Sequence, residues 1–283
     1  MNISDFNDWL VSKEKKSLVM GILNVTPDSF SDGGLYFDTH KAVNHALSMI
    51  EDGADIIDIG GESTRPFSNP VSLDDELLRV VPVIKELRKR TDAVISIDTT
   101  KSTVAKEACL FGADIINDIS GLLFDKKMVD IAKDIGCPIV LMHIKGNPKT
   151  MQENPAYDNL ISDIKSHLLE RVDYAIENGI DRKNIILDPG IGFGKTIENN
   201  FEILNRLDEL TSIQYPFLIG TSNKSFIGKI LNVNEGDRLQ GTIVANTIAL
   251  QKGCKIFRVH NVKEAKRCLL IANKIFNSDH LNN

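Results

Sequence analysis

The chain has 283 residues, 42% of them hydrophobic and 25% charged, with a formal net charge of −6. That composition supplies a full apolar core and excludes a disordered chain. Its acidic balance argues against a protein that coats nucleic acid or an anionic membrane surface. No apolar run approaches the roughly 20 residues of a membrane-spanning helix, and the four cysteines form no Cys-x-x-Cys pair. The expectation is a cytoplasmic, single-domain protein with reduced core thiols and small-molecule partners.

In chain order, residues 1–17 read as a polar N-terminal extension of mixed charge. Eight short runs of Ile, Val and Leu follow, each ending in a polar side chain or glycine and each succeeded by a helix-period segment. The endings are Leu23-Asn24, Ile57-Asp58, Ile97-Asp98, Ile116-Asn117, Leu141-Met142-His143, Leu187-Asp188, Ile219-Gly220 and Arg258-Val259-His260. Strands alternating with helices make parallel β/α units. Eight of them, in a length near the about 250 residues of a closed barrel, predict an α/β fold, a single (β/α)8 TIM barrel over 1–283. All strand ends then point to one face, where the βα loops build the site.

Gly53-Ala54-Asp55-Ile56-Ile57-Asp58 recurs as Gly112-Ala113-Asp114-Ile115-Ile116-Asn117, which sets the register of two equivalent units. Gly53, Gly112, Gly136, Gly179 and Gly253 stand where helices should end, in left-handed backbone. Residues 24–38 and 60–73 lack periodicity and are rich in Gly, Pro, Ser, Thr, Asn and Asp, so long loops are expected after strands 1 and 2. Leu160, Ile164, Leu168, Val172 and Ile176 form one stripe of an outer helix across 157–178, and 277–283 read as a frayed tail.

Asn24 ends the first strand with a carboxamide that can coordinate a hard metal or bind a phosphate oxygen; the plain alternative is a turn-rich connection. Gly60-Gly61 beside Thr64 and Arg65 suits an anion, since glycine admits the backbone and guanidinium bonds phosphate bidentately. A surface pairing of Arg65 with Glu62 is the competing reading. The run Asp188 to Thr196 fails the spacing of both the P-loop and the dinucleotide fingerprint. It keeps a strand-end carboxylate, a glycine-lined loop and Phe193, or else is only an Asp-Pro-Gly turn. Asp98, Asn117 and Asp188 could each be a helix cap. As a set they match a flat heterocycle with adjacent N–H donors and ring acceptors, and Lys224 can reach a ring carbonyl or nitrogen. Arg258 and His260 flank Val259 and so share a face, in the corner after strands 7 and 8 that commonly takes phosphate. No strand end carries His and carboxylates at tight zinc spacing, so the expected metal is an oxygen-loving ion that arrives with a phosphate ligand, such as Mg²⁺.

With these residues in view, the chain resembles the dihydropteroate synthase family from about Val19 to Ala272. The resemblance rests on Asn24-Val25-Thr26-Pro27-Asp28-Ser29-Phe30-Ser31-Asp32-Gly33-Gly34, Glu62-Ser63-Thr64-Arg65-Pro66, Ile97-Asp98-Thr99, Ile116-Asn117-Asp118 and Met142-His143. Asp188-Pro189-Gly190, Gly192-Phe193-Gly194-Lys195, Lys224-Ser225 and Arg258-Val259-His260 complete it. It implies a transferase of folate biosynthesis, a sulfonamide target, that joins 6-hydroxymethyl-7,8-dihydropterin diphosphate to 4-aminobenzoate and releases pyrophosphate and 7,8-dihydropteroate. By resemblance, Asp98, Asn117, Asp188 and Lys224 hold the pterin, with Phe193 beside the pocket and Met142 in its wall. Asn24, Thr64, Arg65, Arg258 and His260 hold the diphosphate and its Mg²⁺, with Asn24 as the metal ligand. Phe30, Pro66 and Ser225 lie near 4-aminobenzoate.

An aryl amine is a weak nucleophile, so early departure of diphosphate lowers the barrier most. Arg65, Arg258, His260 and the metal stabilise the leaving charge, ionised Asp98 stabilises the pterin cation, and Lys224 completes the catalytic set. The resemblance also implies a homodimer through the barrel's helical exterior. The sequence departs from the family at Phe67, where glycine is common, at Asn223, where arginine is usual, and at Asn261, where aspartate is common. Two rivals stand beside this reading. A folate-dependent methyltransferase needs no diphosphate site and would carry Asp-x-His-x-x-Gly, whereas Val43 follows Asp38-Thr39-His40 at the glycine position. A non-catalytic pterin-binding paralogue is the other.

Overall fold

A computed structural model describes residues 1–26, 34–65 and 68–278. Phe30, Pro66 and Phe67 lie outside the described residues, as do 279–283 of the expected tail. Eight parallel strands form the sheet: β1 (Leu18–Asn24), β2 (Ile56–Gly60), β3 (Val94–Asp98), β4 (Ile115–Asp118), β5 (Ile139–Met142), β6 (Ile185–Asp188), β7 (Leu218–Ile219) and β8 (Ile256–Val259). Their order is β6-β5-β4-β3-β2-β1-β8-β7. A bridge from Leu187 to Phe217 joins the two ends, giving the TIM barrel that the alternating runs predict. Helices α2 (Gly34–Glu51), α3 (Leu73–Arg88), α4 (Ser102–Leu110), α5 (Met128–Ile135), α6 (Leu160–Glu177), α7 (Ile197–Asn205), α8 (Leu207–Thr211), α9 (Ser225–Leu231), α10 (Leu239–Gln251) and α11 (Val262–Phe276) follow the strands, and α1 (Ile3–Val11) precedes them. Among the described residues no helix is long and apolar enough to cross a membrane.

Strand alternation divides the core in two. Val19, Ile57, Ile95, Ile116, Ile139, Ile185, Ile219 and Phe257 point outward into the layer shared with the helices. Met20, Ile56, Val94, Ile115, Val140, Ile186, Leu218 and Ile256 point inward and form a separate apolar floor. Because successive side chains alternate faces, two steps past those floor positions the interior continues with Ile22, Asp58, Ser96, Asn117, Met142, Asp188, Gly220 and Arg258. Two steps further stand Asn24, Gly60, Asp98 and His260, at the open end.

The first 17 residues are more than a polar extension. Asn2 and Asp5 form a capping box that starts α1, and Phe6, Trp9 and Leu10 pack against the barrel floor. Trp9 Nε1 donates to Lys16 O at 2.8 Å, and Val94 N donates to Met1 O at 3.1 Å. Two further expectations are corrected. Residues 34–38 belong to α2 rather than to the first loop. Ile176 is 37% exposed, because repeated four-residue steps gain about 40° each on a 3.6-residue helix, and Ala175 takes the inward place near the end of α6. The five helix-ending glycines do have positive φ, from 71° at Gly136 to 119° at Gly112.

Candidate active site

The inward polar residues meet at the open end of the barrel around Arg258. Its Nε donates to Asp58 Oδ2 at 2.6 Å, and an Nη donates to Asp98 Oδ2 at 2.7 Å. Asn117 Nδ2 also donates to Asp58 Oδ2, at 3.2 Å. Asp58 is fully buried, and the second oxygens of both carboxylates, Asp58 Oδ1 and Asp98 Oδ1, are buried without a protein partner. Burial pushes the Asp98 carboxyl up to about 7, and the Arg258 charge opposes that rise. Burial works against the charge of Arg258 as well, but Asp58 and Asp98 outweigh it and keep the guanidinium charged.

On the opposite side of the mouth, Asp188 ends β6 and accepts from Gly190 N at 2.6 Å. Burial raises its carboxyl to about 6, against the pull of that hydrogen bond and of Lys224. Lys224, just before α9, places Nζ 4.1 Å from the Phe193 ring centroid. Burial and the nearby Arg258 lower its pKa to about 8. Phe193, Met142, Ile119, Ile144 and Met151 form a small apolar wall beside these groups. Gly190 must be glycine here: its φ is +70°, and a Cβ would lie 1.9 Å from His143 O. Lys195 secures the same loop, with Nζ 2.8 Å from His143 Nδ1 and 3.0 Å from Phe193 O. Burial lowers Lys195 to about 7 and holds His143 far below the ordinary imidazole range, so His143 is neutral and its Nδ1 accepts from the Lys195 amino group.

His260 completes the mouth after β8. Its backbone N–H donates to Ser222 Oγ at 3.2 Å, and its Nδ1 lies 3.0 Å from the same hydroxyl. We assign the hydroxyl proton to that Nδ1 contact, which leaves Nε2–H as a donor toward the mouth. Burial, then the charges of Arg258 and Arg65, lower His260 to about 4, so it meets an anion as a neutral donor. Thr64 is half-buried, Arg65 is exposed, and Ser225 is exposed at the first position of α9. Thr64 shares with Asp98 a cavity of about 330 Å³.

Among the described residues, no group of three or more His, Cys, Asp or Glu side chains could hold a metal ion. Asn24, half-buried at the end of β1, is paired in register with Gly60, which is itself paired with Asp98. One carboxamide oxygen at this open end fits Mg²⁺ only when the ion brings its other oxygen ligands, such as phosphate and water.

Asn24, Thr64, Asp98, Asn117, Met142, Asp188, Phe193, Lys224, Arg258 and His260 thus gather around one opening, with Arg65 and Ser225 at its rim. Sequence reasoning missed Asp58, the second carboxylate on Arg258, which lies in the middle of β2, two steps below the level of Asp98. It also missed Ser222, Lys195 and the pairing of Glu62 with Lys101, whose partners lie far apart in the chain.

Comparison with known proteins gives concordant matches. The pterin binding enzyme family profile matches residues 20–260. A dihydropteroate synthase from Bacillus subtilis is 48% identical over 94% of this chain and 91% of its own. One from Escherichia coli K12 is 46% identical over 89% of each. The structure of the Yersinia pestis dihydropteroate synthase in complex with a sulfonamide drug superposes with a TM-score of 0.88 at 43% identity, covering 92% of this chain and 94% of that one. The Clostridium difficile enzyme in the presence of pteroic acid gives 0.88 at 43% identity, over 93% and 97%. The Xanthomonas albilineans enzyme with 4-aminobenzoic acid gives 0.87 at 38%, over 93% and 94%.

Proposed function

The chain belongs to the dihydropteroate synthase family of pterin binding enzymes and is a transferase that condenses 6-hydroxymethyl-7,8-dihydropterin diphosphate with 4-aminobenzoate, and from that premise we propose which of its residues do the work. The observation that carries the assignment is the pair of buried, unpartnered carboxylate oxygens, Asp58 Oδ1 and Asp98 Oδ1. A buried carboxylate oxygen without a donor is costly. A flat ring bearing amine and lactam N–H groups supplies the missing donors. Asn117 and Asp188 read the remaining ring edge, Lys224 donates to a ring acceptor, and Met142 and Phe193 cover the faces. Identity of 46–48% to dihydropteroate synthases over most of the chain weighs against the folate-dependent methyltransferase reading.

Arg65, Arg258, His260 and Thr64 bind the diphosphate and take up charge as the carbon–oxygen bond breaks. Ionised Asp98 faces the cation left on the pterin methylene, and the 4-aminobenzoate nitrogen attacks that carbon and then loses a proton to solvent. Asn24 would hold Mg²⁺, which would neutralise diphosphate charge when bound. Ser225 borders 4-aminobenzoate. Among partners, we propose a second copy of the chain, because α10 and α11 expose Val244, Ile248, Leu270, Ile271 and Ile275. Light scattering should give a dimer mass that Ile271→Glu halves. Four free cysteines fit a reducing, cytoplasmic setting.

The deciding assay mixes the protein with Mg²⁺, 4-aminobenzoate and the pterin diphosphate and follows both products by chromatography. Pyrophosphate and dihydropteroate should appear in equal amounts. Tight pterin binding with neither product would instead support the non-catalytic paralogue.

A further inference from the structure

Glu62 opens the second loop and is absorbed by none of the roles above. Its Oε2 accepts from Lys101 Nζ, and its Oε1 accepts from Val71 N at 3.3 Å. The same ammonium donates to Glu76 Oε2 at 2.5 Å, and Thr99 Oγ1 donates to Glu76 Oε1 at 2.6 Å. Glu76 belongs to α3 and its side chain is only 1% exposed. Lys101 stands three residues after Asp98, at the entry to α4. One half-buried cation thus joins the loop after β2, the helix that follows it and the end of β3. Burial opposes the Lys101 charge, but hydrogen bonds to Glu62 and Glu76 outweigh it and raise its pKa.

The rest of the loop start is fixed as well. Arg79 donates to Gly61 O at 2.8 Å, and a Cβ at Gly61 would lie 2.8 Å from Val80 Cγ1, so the loop backbone lies directly on α3. Glu62, Thr64, Glu76, Asp98 and Lys101 all line the cavity of about 330 Å³. The clamp therefore faces the same space as the pterin carboxylate and the first anion-binding residue of the loop.

We propose that Lys101 is a positioning residue for the diphosphate: it clamps the second loop to the end of β3, so that Thr64 and Arg65 meet the ligand whose ring Asp98 holds. This rests on the roles proposed above for Thr64, Arg65 and Asp98. The physical gain is preorganisation, because a loop ordered in advance loses less conformational entropy when the ligand binds. The ring contacts of Asp98, Asn117 and Asp188 come from strand ends and those of Lys224 and Phe193 from the loops after β7 and β6, so none is made by the loop that the clamp holds. Loss of Lys101 should therefore separate the two parts of the substrate.

The test is calorimetry on the full-length protein with 6-hydroxymethyl-7,8-dihydropterin and with its diphosphate, each with Mg²⁺. Lys101→Met should weaken the diphosphate tenfold or more and leave the diphosphate-free pterin within twofold, and Lys101→Arg should restore most of the loss. Equal weakening of both ligands, or no change in either, would overturn the proposal. Should Lys101→Met fail to fold, Glu62→Ala keeps the Lys101–Glu76 pair and must show the same selective loss; wild-type affinity for the diphosphate in that variant overturns it too. Wild-type protein that binds neither pterin would defeat the pterin assignment itself, a result distinct from unselective variants of a binding wild type.

Discussion

Arg258 holds two carboxylates with one guanidinium, and the spare oxygen of each waits for a ligand donor. Replacing Asp98 with alanine removes the ionised group nearest the developing pterin cation. By comparison with the loss of one electrostatic stabiliser, turnover should fall roughly 10²- to 10³-fold; steady-state product formation near the wild-type rate would reject the role. Protonation gives a second test. The carboxyl of Asp98, raised by burial to about 7, must be ionised, so kcat/KM should fall as pH drops below that value. The ammonium of Lys224, lowered by burial to about 8, must be protonated, so kcat/KM should also fall above it. The profile is thus a bell, and Lys224→Arg should move only its alkaline limb upward. A flat wild-type profile to pH 10 would contradict the assignment. At this scale the sequence was readable where a strand run ends in a polar residue: Asp98, Asn117, Asp188, Arg258 and His260 needed only period two. Asp58 interrupts a run too, in the middle of β2, yet what makes it central is a guanidinium 200 residues away, which no local pattern carries.

The loop after β6 shows how an element places a residue. Gly190 turns the chain beneath His143 O and donates to Asp188, while Lys195 fastens the far side of the loop to His143. A methyl group at 190 cannot fit without moving the loop. Gly190→Ala should weaken pterin binding at least tenfold, measured by titration; unchanged affinity would mean that the loop does not orient Asp188. The glycines of this run were visible in the sequence, but they satisfied no phosphate motif; Gly190 and Gly194 are needed because the carbonyls of His143 and Lys145, just past β5, lie against them. Helix α1 was hidden for a different reason. Its buried residues, Phe6, Trp9 and Leu10, span little more than one helical turn, too short a stretch to stand out as a periodicity from the charge-rich residues 1–17.

For the molecule as a whole, floor and mouth are separate ends of one barrel. Trp9→Ala takes a large side chain from the floor and should lower stability by about 3 kcal/mol, seen as an earlier urea transition. At 25 °C the folded fraction should keep kcat/KM within about twofold, since that side chain packs with floor residues such as Met20 and Ile256 and not with the mouth. A matching loss of activity in folded protein would show that the two ends communicate. The barrel itself was legible because eight strand–helix units leave few other ways to bury so many apolar runs. What the pattern could not supply was the register of the closure between β8 and β1, where Leu18 pairs with Ile256.

That closure has a consequence in time. During synthesis Asp58 and Asp98 emerge long before Arg258, which lies 200 and 160 residues later. Until the ribosome delivers the last strand, two carboxylates destined for burial have no counter-ion, and the nascent barrel stays open where its chemistry will be. The final strand is then a checkpoint on translation: a chain cut short before residue 256 keeps the carboxylates that would hold the pterin but lacks the cation that lets them be buried together.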